Sequence, residues 1–278
     1  MDTKNILDLH DIQKTLLYPL WGRSIFSSLY PEILNDKEAI SIAKSLNYDF
    51  SNIEKAFGEY GGLLYIVRGQ KIDETIKNFI LKNPKATVVN IGAGLDTTFS
   101  RIDNGSIYWY DLDIEEVIAI RKSIIPEGPR NKCIAKSVLD YSWFKDIHFN
   151  VNDGILFIAS GVFYYFKEND VKELFITLAN NFPGGELFFD GQTKITLKLS
   201  NRMVQKSGNM GAMMYFYVKN KKIFSFWSPL LNLQSVEPFC KNLKVDKRWK
   251  KTTRIKMFLC NFFKMASFYH IKFSKTNL

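Results

Sequence analysis

Three short stretches of this chain carry residues whose types and spacing could do chemistry. In Val88-Val89-Asn90-Ile91-Gly92-Ala93-Gly94 an apolar run ends in two glycines, and Leu95-Asp96-Thr97-Thr98 lead into a helical pattern. A turn without Cβ atoms lets a nucleoside-bearing ligand approach main-chain N–H groups at the end of a parallel strand. Tyr108-Trp109-Tyr110-Asp111-Leu112-Asp113 is a second strand-like run that ends in carboxylates. A carboxylate there can accept both hydroxyls of a ribose. Asp113 could also simply cap the helix beginning at Ile114, which carries Glu115 and Glu116 in its first turn. The glycine corner ahead of it favours the ribose. Arg68, in Val67-Arg68-Gly69-Gln70, offers a guanidinium able to grip a carboxylate through two parallel hydrogen bonds. Composition alone would make it a surface arginine.

The corner also excludes something. A dinucleotide fingerprint wants a further glycine three positions after the second, and Thr97 stands there. A nucleoside ligand without a pyrophosphate fits better, and S-adenosylmethionine is the common one. The nicotinamide-dependent alternative also lacks an evident catalytic Tyr–Lys or His pairing.

Such residues need a scaffold that sets strand ends side by side. Apolar runs and turn residues predict strands over 87–91, 107–111, 132–137, 154–159 and 186–190, with helices near 97–102, 114–124, 142–146 and 168–181. That alternation argues for a parallel, doubly wound α/β sheet. Residues 1–70 read as a helical cap punctuated by Pro19, Pro31 and Gly61-Gly62, and 71–82 as a helix stopped by Asn83-Pro84. Beyond the core, 193–205 reads as a helix and 208–229 as an irregular, aromatic- and Met-rich insertion. Two closing strands, 244–249 and 269–274, flank a helix over 255–266. We expect one domain over 1–278: cap 1–70, cofactor-binding core 71–192, insertion and closing strands 193–278.

The bulk numbers agree with an enzyme that carries a pocket. At 278 residues and 46% hydrophobic, the chain can bury a large core. Cys133, Cys240 and Cys260 show no metal-ligand spacing, so a zinc cluster and disulfides are not expected. No metal is expected at all, and His10, His148 and His270 form no nucleophilic arrangement. The N-terminus has no signal-peptide pattern, and a cytoplasmic location is expected. The net charge of +10 is unevenly placed, because residues 241–278 hold 11 Lys/Arg against one acid, Asp246. Without a nucleic-acid-binding signature this reads first as a solvated face.

Taken together, Arg68, Val89-Asn90-Ile91-Gly92-Ala93-Gly94-Leu95-Asp96-Thr97, Tyr110-Asp111-Leu112-Asp113 and Ile158-Ala159-Ser160-Gly161-Val162-Phe163-Tyr164-Tyr165 resemble the leucine carboxyl methyltransferase family. Within it they resemble the bacterial branch of tetracenomycin-type polyketide O-methyltransferases. Pro19-Leu20-Trp21-Gly22-Arg23 and Phe182-Pro183-Gly184-Gly185-Glu186-Leu187 extend the likeness over roughly residues 15–190. The resemblance implies a class I methyltransferase, Rossmann-like fold of seven mostly parallel strands, using S-adenosylmethionine. It assigns Arg68 to the methionine carboxylate, Gly92, Gly94 and Asp96 to the methionine and ribose region, and Asp113 to the ribose. Ser137 and Val138 would flank the adenine, and Ser160 would lie near the amino group. Arg23, Tyr164 and Tyr165 fall on the acceptor side.

Two positions depart from the family pattern. Ser137 stands where an aspartate is usual and Ser160 where a glutamate is usual. Asp140 could replace the first acid; nothing in the sequence replaces the second. The expected activity is O-methylation of a small-molecule carboxylate or acidic hydroxyl. The alternatives are a cofactor-binding fold that has lost catalysis and works as an interaction module, and an NAD-dependent oxidoreductase. No catalytic base can be named.

Overall fold

The computed structural model describes residues 11–274. Seven strands form one sheet in the order β3-β2-β1-β4-β5-β7-β6. They are β1 (Thr87–Ile91), β2 (Tyr108–Asp113), β3 (Asn131–Ala135), β4 (Ile155–Ala159), β5 (Glu186–Gln192), β6 (Leu231–Pro238) and β7 (Ala266–Phe273). The first five pair in parallel, and β7 runs antiparallel between β5 and β6. All residues of β1 and β4 are buried, as central strands covered on both faces must be. Side chains alternate between two cores. Val88, Trp109, Leu156 and Ile158 face the cap side, while Val89, Leu112, Phe157 and Ala159 face the other layer.

The helices are α1 (Asp11–Lys14), α2 (Leu17–Leu29), α3 (Lys37–Leu46), α4 (Ser51–Lys82), α5 (Thr98–Ile102), α6 (Glu115–Ile124), α7 (Glu168–Asn181), α8 (Lys194–Lys206), α9 (Ile223–Trp227) and α10 (Lys251–Phe262). Helix α7 buries Val171, Leu174, Phe175 and Leu178, one stripe at helical spacing, against Phe157 and Phe189. Asp49 caps the turn into α4 by accepting from the Ser51 N–H at 2.9 Å.

Three expectations are corrected. Gly61-Gly62 does not interrupt the cap: α4 breaks instead at Gly58, where φ is +56°, and runs on through both. Each glycine makes room for a ring: a Cβ on Gly62 would come within 1.9 Å of Phe26, and one on Gly61 within 2.7 Å of Phe57. Gly62 therefore serves close packing of α2 on α4, and Gly61 makes room for Phe57 of its own helix. Gly62→Ala is expected to cost about 1–3 kcal/mol by forcing α2 away from α4, seen as a lower thermal midpoint.

The sixth strand is Leu231–Pro238, not 244–249. β6 is a half-exposed edge strand, bulged between Leu233 and Ser235, so its alternation is broken where pattern reading needs it. Residues 244–249 instead form a turn, in which the Asp246 carboxylate accepts from the Arg248 N–H at 2.7 Å and Trp249 is buried beside Tyr30. The last helix lies over Lys251–Phe262, earlier than 255–266, which leaves Ala266 to begin β7.

Candidate functional site

The glycine corner closes β1 with the backbone geometry that its sequence requires. Gly92 and Gly94 have φ of +66° and +47°, values that disfavour any residue with a Cβ. The Gly92 N–H donates to the Leu112 carbonyl at 2.8 Å, which splices the corner to the end of β2. Asp113 serves both readings made of it. One oxygen accepts from Gly94 N at 2.8 Å and the other from Ile114 N at 2.8 Å. Each oxygen retains acceptor capacity for a ligand hydroxyl. Burial raises the Asp113 carboxyl above its ordinary value, against the two N–H bonds.

Arg121, which the sequence reading passed over, and Asp111, which it named beside Asp113, hold this corner from behind. Arg121, on α6, donates from Nη1 to the Gly94 and Asp96 carbonyls at 3.0 and 2.7 Å, and from Nη2 to Asp111 at 2.7 Å. Asp111 also accepts from Trp109 Nε1 and Asn90 Nδ2 and is fully buried. Of the two carboxylates ending β2, Asp111 is thus an anchor, and Asp113 faces the cavity.

The cap is tied to the same corner through Asp36, the N-cap of α3. Its carboxylate accepts from Ala39 N at 3.0 Å, Arg23 Nε at 3.0 Å, Arg101 Nη1 at 2.7 Å and the Thr97 hydroxyl at 2.7 Å. Thr97, at the place of a dinucleotide glycine, therefore spends its hydroxyl on the cap. Arg23 continues to the Leu95 carbonyl at 2.8 Å and approaches Asp96 at 3.9 Å. Burial would raise the Asp96 carboxyl, but Arg23, Arg101 and the bonds from Thr98 outweigh it and hold it below its ordinary value.

At the end of β4 the site has a second acid. Arg68, reaching in from α4, pairs through Nη1 with Asp190 of β5 at 3.3 Å. The other Asp190 oxygen accepts from Gly161 N at 2.6 Å, and the Tyr164 phenol lies beside the same carboxylate. Gly161 has φ of +74°, and a Cβ there would come within 2.7 Å of Arg68 Nη1. Beside Ser160, where the sequence reading found no acid, Asp190 lies next in space. Its signal was an aspartate inside the apolar run Leu187-Phe188-Phe189-Asp190, where an unpaired charge would be costly.

These groups line one cavity of about 410 Å³. Arg23, Arg68, Gly92, Gly94, Asp96, Asp113, Ser160, Tyr164 and Tyr165 all contribute to its wall. Ser137 and Val138 do not. Val138 is buried in the opposite core, with its carbonyl accepting from Trp143 Nε1, and Ser137 is exposed. Asp140 is exposed too and caps the turn at Ser142. His148 and His270 lie outside the cavity, His270 paired with Glu186 at 2.8 Å, and His10 falls outside the described residues. The far wall is apolar, built by Phe57, Leu64, Met203, Phe239 and Met265 with Tyr60 and Cys260.

Burial pushes the cavity phenols up: Tyr165 to about 12, and Tyr60, Tyr65 and Tyr164 well above their ordinary value. They are hydrogen-bond donors, not bases. The neighbouring Cys240 thiol draws Cys260 down to about 7, against burial, while Cys240, whose Sγ donates to Met257 Sδ at 3.5 Å, is pushed up.

The donor set fits S-adenosylmethionine: an acid at a glycine corner, a guanidinium and a second acid around a glycine elbow, all open to one cavity. The comparisons with known proteins agree. The model of the leucine carboxyl methyltransferase family matches residues 43–179. The tetracenomycin polyketide synthesis O-methyltransferase TcmP of Streptomyces glaucescens is 28% identical over 193 residues, 69% of this chain and 70% of that one. Among solved structures, a putative methyltransferase from Thermobifida fusca superposes with a TM-score of 0.57 at 13% identity, covering 86% of this chain and 88% of that one. A DUF574 family protein from Streptomyces avermitilis does so with a TM-score of 0.55 at 10% identity, covering 82% and 97%. Those two likenesses speak for the fold. With the family match and the relative in sequence, the chain is similar to the leucine carboxyl methyltransferase family and is an S-adenosylmethionine-dependent methyltransferase.

Proposed function

We propose that the protein methylates an oxygen of a small-molecule acceptor, a carboxylate or an acidic hydroxyl. The observation that carries this reading is the common cavity of Arg68 and Asp113, which come from the cap and the sheet and lie far apart in sequence. In it Asp113 holds the ribose hydroxyls, Arg68 the methionine carboxylate, and Asp190 the ammonium, the last taking the part expected of an acid at Ser160. The cofactor supplies a methyl group on a sulfonium, whose sulfur keeps the electron pair when the acceptor oxygen bonds to the methyl carbon.

The chain's own residues align and shield. Tyr164 and Tyr165 flank the polar end of the cavity, and the apolar far wall excludes water from the acceptor. The protonated phenols remove no proton, which favours an acceptor that arrives as an anion. The O-methyltransferase activity of the Streptomyces glaucescens relative, on a polyketide pathway, supports an acceptor with acidic hydroxyls or a carboxyl. Asp190 counts against an inactive binding module, since the acid that the sequence lacked is present. The basic surface does not enter the site, and nucleic acid is no part of this reading.

Calorimetric titration with S-adenosylmethionine, S-adenosylhomocysteine and NAD tests the cofactor. The two adenosyl ligands are expected to bind and NAD not to; binding of NAD alone would overturn the proposal. Asp113→Ala and Arg68→Ala should each weaken S-adenosylmethionine by about tenfold or more, the worth of a charged hydrogen bond. Turnover over a panel of aromatic acids and phenols then identifies the acceptor.

A further inference from the structure

The outward face of α10 is apolar, where a surface helix of a globular protein is normally polar. Thr253, Met257 and Cys260 turn inward and are buried. On the opposite side, Ile255, Phe258 and Phe262 follow at helical spacing and are 59%, 63% and 67% exposed. Phe263, at 63% exposure, continues the patch past the helix end. The rings form one cluster, Phe258 stacked on Phe262 at 5.9 Å and Phe262 against Phe263 at 5.1 Å. A contiguous exposed aromatic surface of this kind marks a docking site.

Its rim says what docks. Lys250, Lys251, Lys256 and Lys264 are exposed and enter no ion pair among the described residues. They belong to the segment 241–278, whose 11 Lys/Arg against Asp246 account for the whole net charge of +10. A twofold contact between copies would lay this patch against itself and bring its own cations together. An anionic surface neutralises them.

We propose that α10 lies on an anionic lipid bilayer, with Ile255, Phe258, Phe262 and Phe263 seated at the headgroup boundary and the lysines on lipid phosphates. At 12 residues the helix is suited to lie on the surface, and no described helix is long and apolar enough to cross a membrane. Its inner face supplies Cys260 to the cavity wall, so docking holds the apolar end of the cavity beside the bilayer.

Sedimentation with vesicles tests this docking independently of methyl transfer. The protein is expected to pellet with phosphatidylcholine vesicles containing about one-third phosphatidylglycerol, not with phosphatidylcholine alone, and to be released by salt at about 0.5 M. Phe258→Ser with Phe262→Ser should lower partitioning by about a hundredfold or more, with an unchanged thermal midpoint because both rings are exposed. Lys251→Glu with Lys264→Glu, a second pair away from the core, should also release it. Three outcomes would overturn the proposal: no binding to anionic vesicles at low salt; binding that ignores the phenylalanines and so reports bare charge; or a dimer in solution that the phenylalanine pair abolishes without any vesicle binding.

Discussion

Asp190→Asn is expected to lower the affinity for S-adenosylmethionine by about tenfold or more, with methyl transfer falling in step. The substitution keeps the size of the side chain and removes its charge. In the wild type that charge faces Arg68 at 3.3 Å and the Gly161 N–H at 2.6 Å, with the Tyr164 phenol alongside. An asparagine can still accept from Gly161, so the elbow at the end of β4 keeps its shape. What is lost is the partner that orients Arg68 and the acid proposed to meet the ammonium. Both losses act on cofactor binding, so calorimetry reads them directly. An affinity equal to wild type would take Asp190 out of the cofactor site and leave it a structural partner of Arg68.

Asp36→Ala is expected to destabilise the protein by about 3–5 kcal/mol, the cost of breaking a buried ion pair from one side. Asp36 is fully buried and accepts from Arg23, Arg101, Thr97 and the Ala39 N–H. Its removal leaves Arg23 with the Leu95 carbonyl and a distant Asp96, and leaves the α3 N-terminus uncapped. Arg101 keeps Asp73 through two bonds near 2.9 Å, so this arginine is not stranded. The cap should loosen on the glycine corner before the sheet unfolds. Denaturant unfolding measures the free energy, and S-adenosylhomocysteine titration measures the loosening. A variant with wild-type stability would show that Asp36 is not the joint between cap and sheet.

The elements that alternate strongly were legible in the chain. β1 falls over 87–91 as predicted, and α7 over 168–181, because apolar β-branched runs and an i, i+3, i+4 stripe are local signals. Edge strand β6 was not legible, since half-exposure and a bulge erase the alternation that identifies a strand. Gly61-Gly62 misled for a different reason. Glycine breaks a helix by propensity, yet here it is kept for the rings of Phe26 and Phe57, a fact of packing.

The same division runs through the site. Gly92, Gly94 and Asp113 declared themselves, because turn geometry and strand-end chemistry are written into a few consecutive residues. Arg121, Asp36 and Asp190 did not, because each acts on a partner remote in sequence: Arg121 on Gly94, Asp36 on Thr97, Asp190 on Arg68. The sequence by itself determined the five parallel strands, the glycine corner and the kind of ligand that such a corner admits. The tertiary structure alone decided that Asp190 meets Arg68, that Ser137 and Val138 stay out of the cavity wall, and that the back of the last helix carries bare aromatic rings. Backbone conformation follows from neighbours along the chain, whereas the pairing of buried charges depends on which elements pack together.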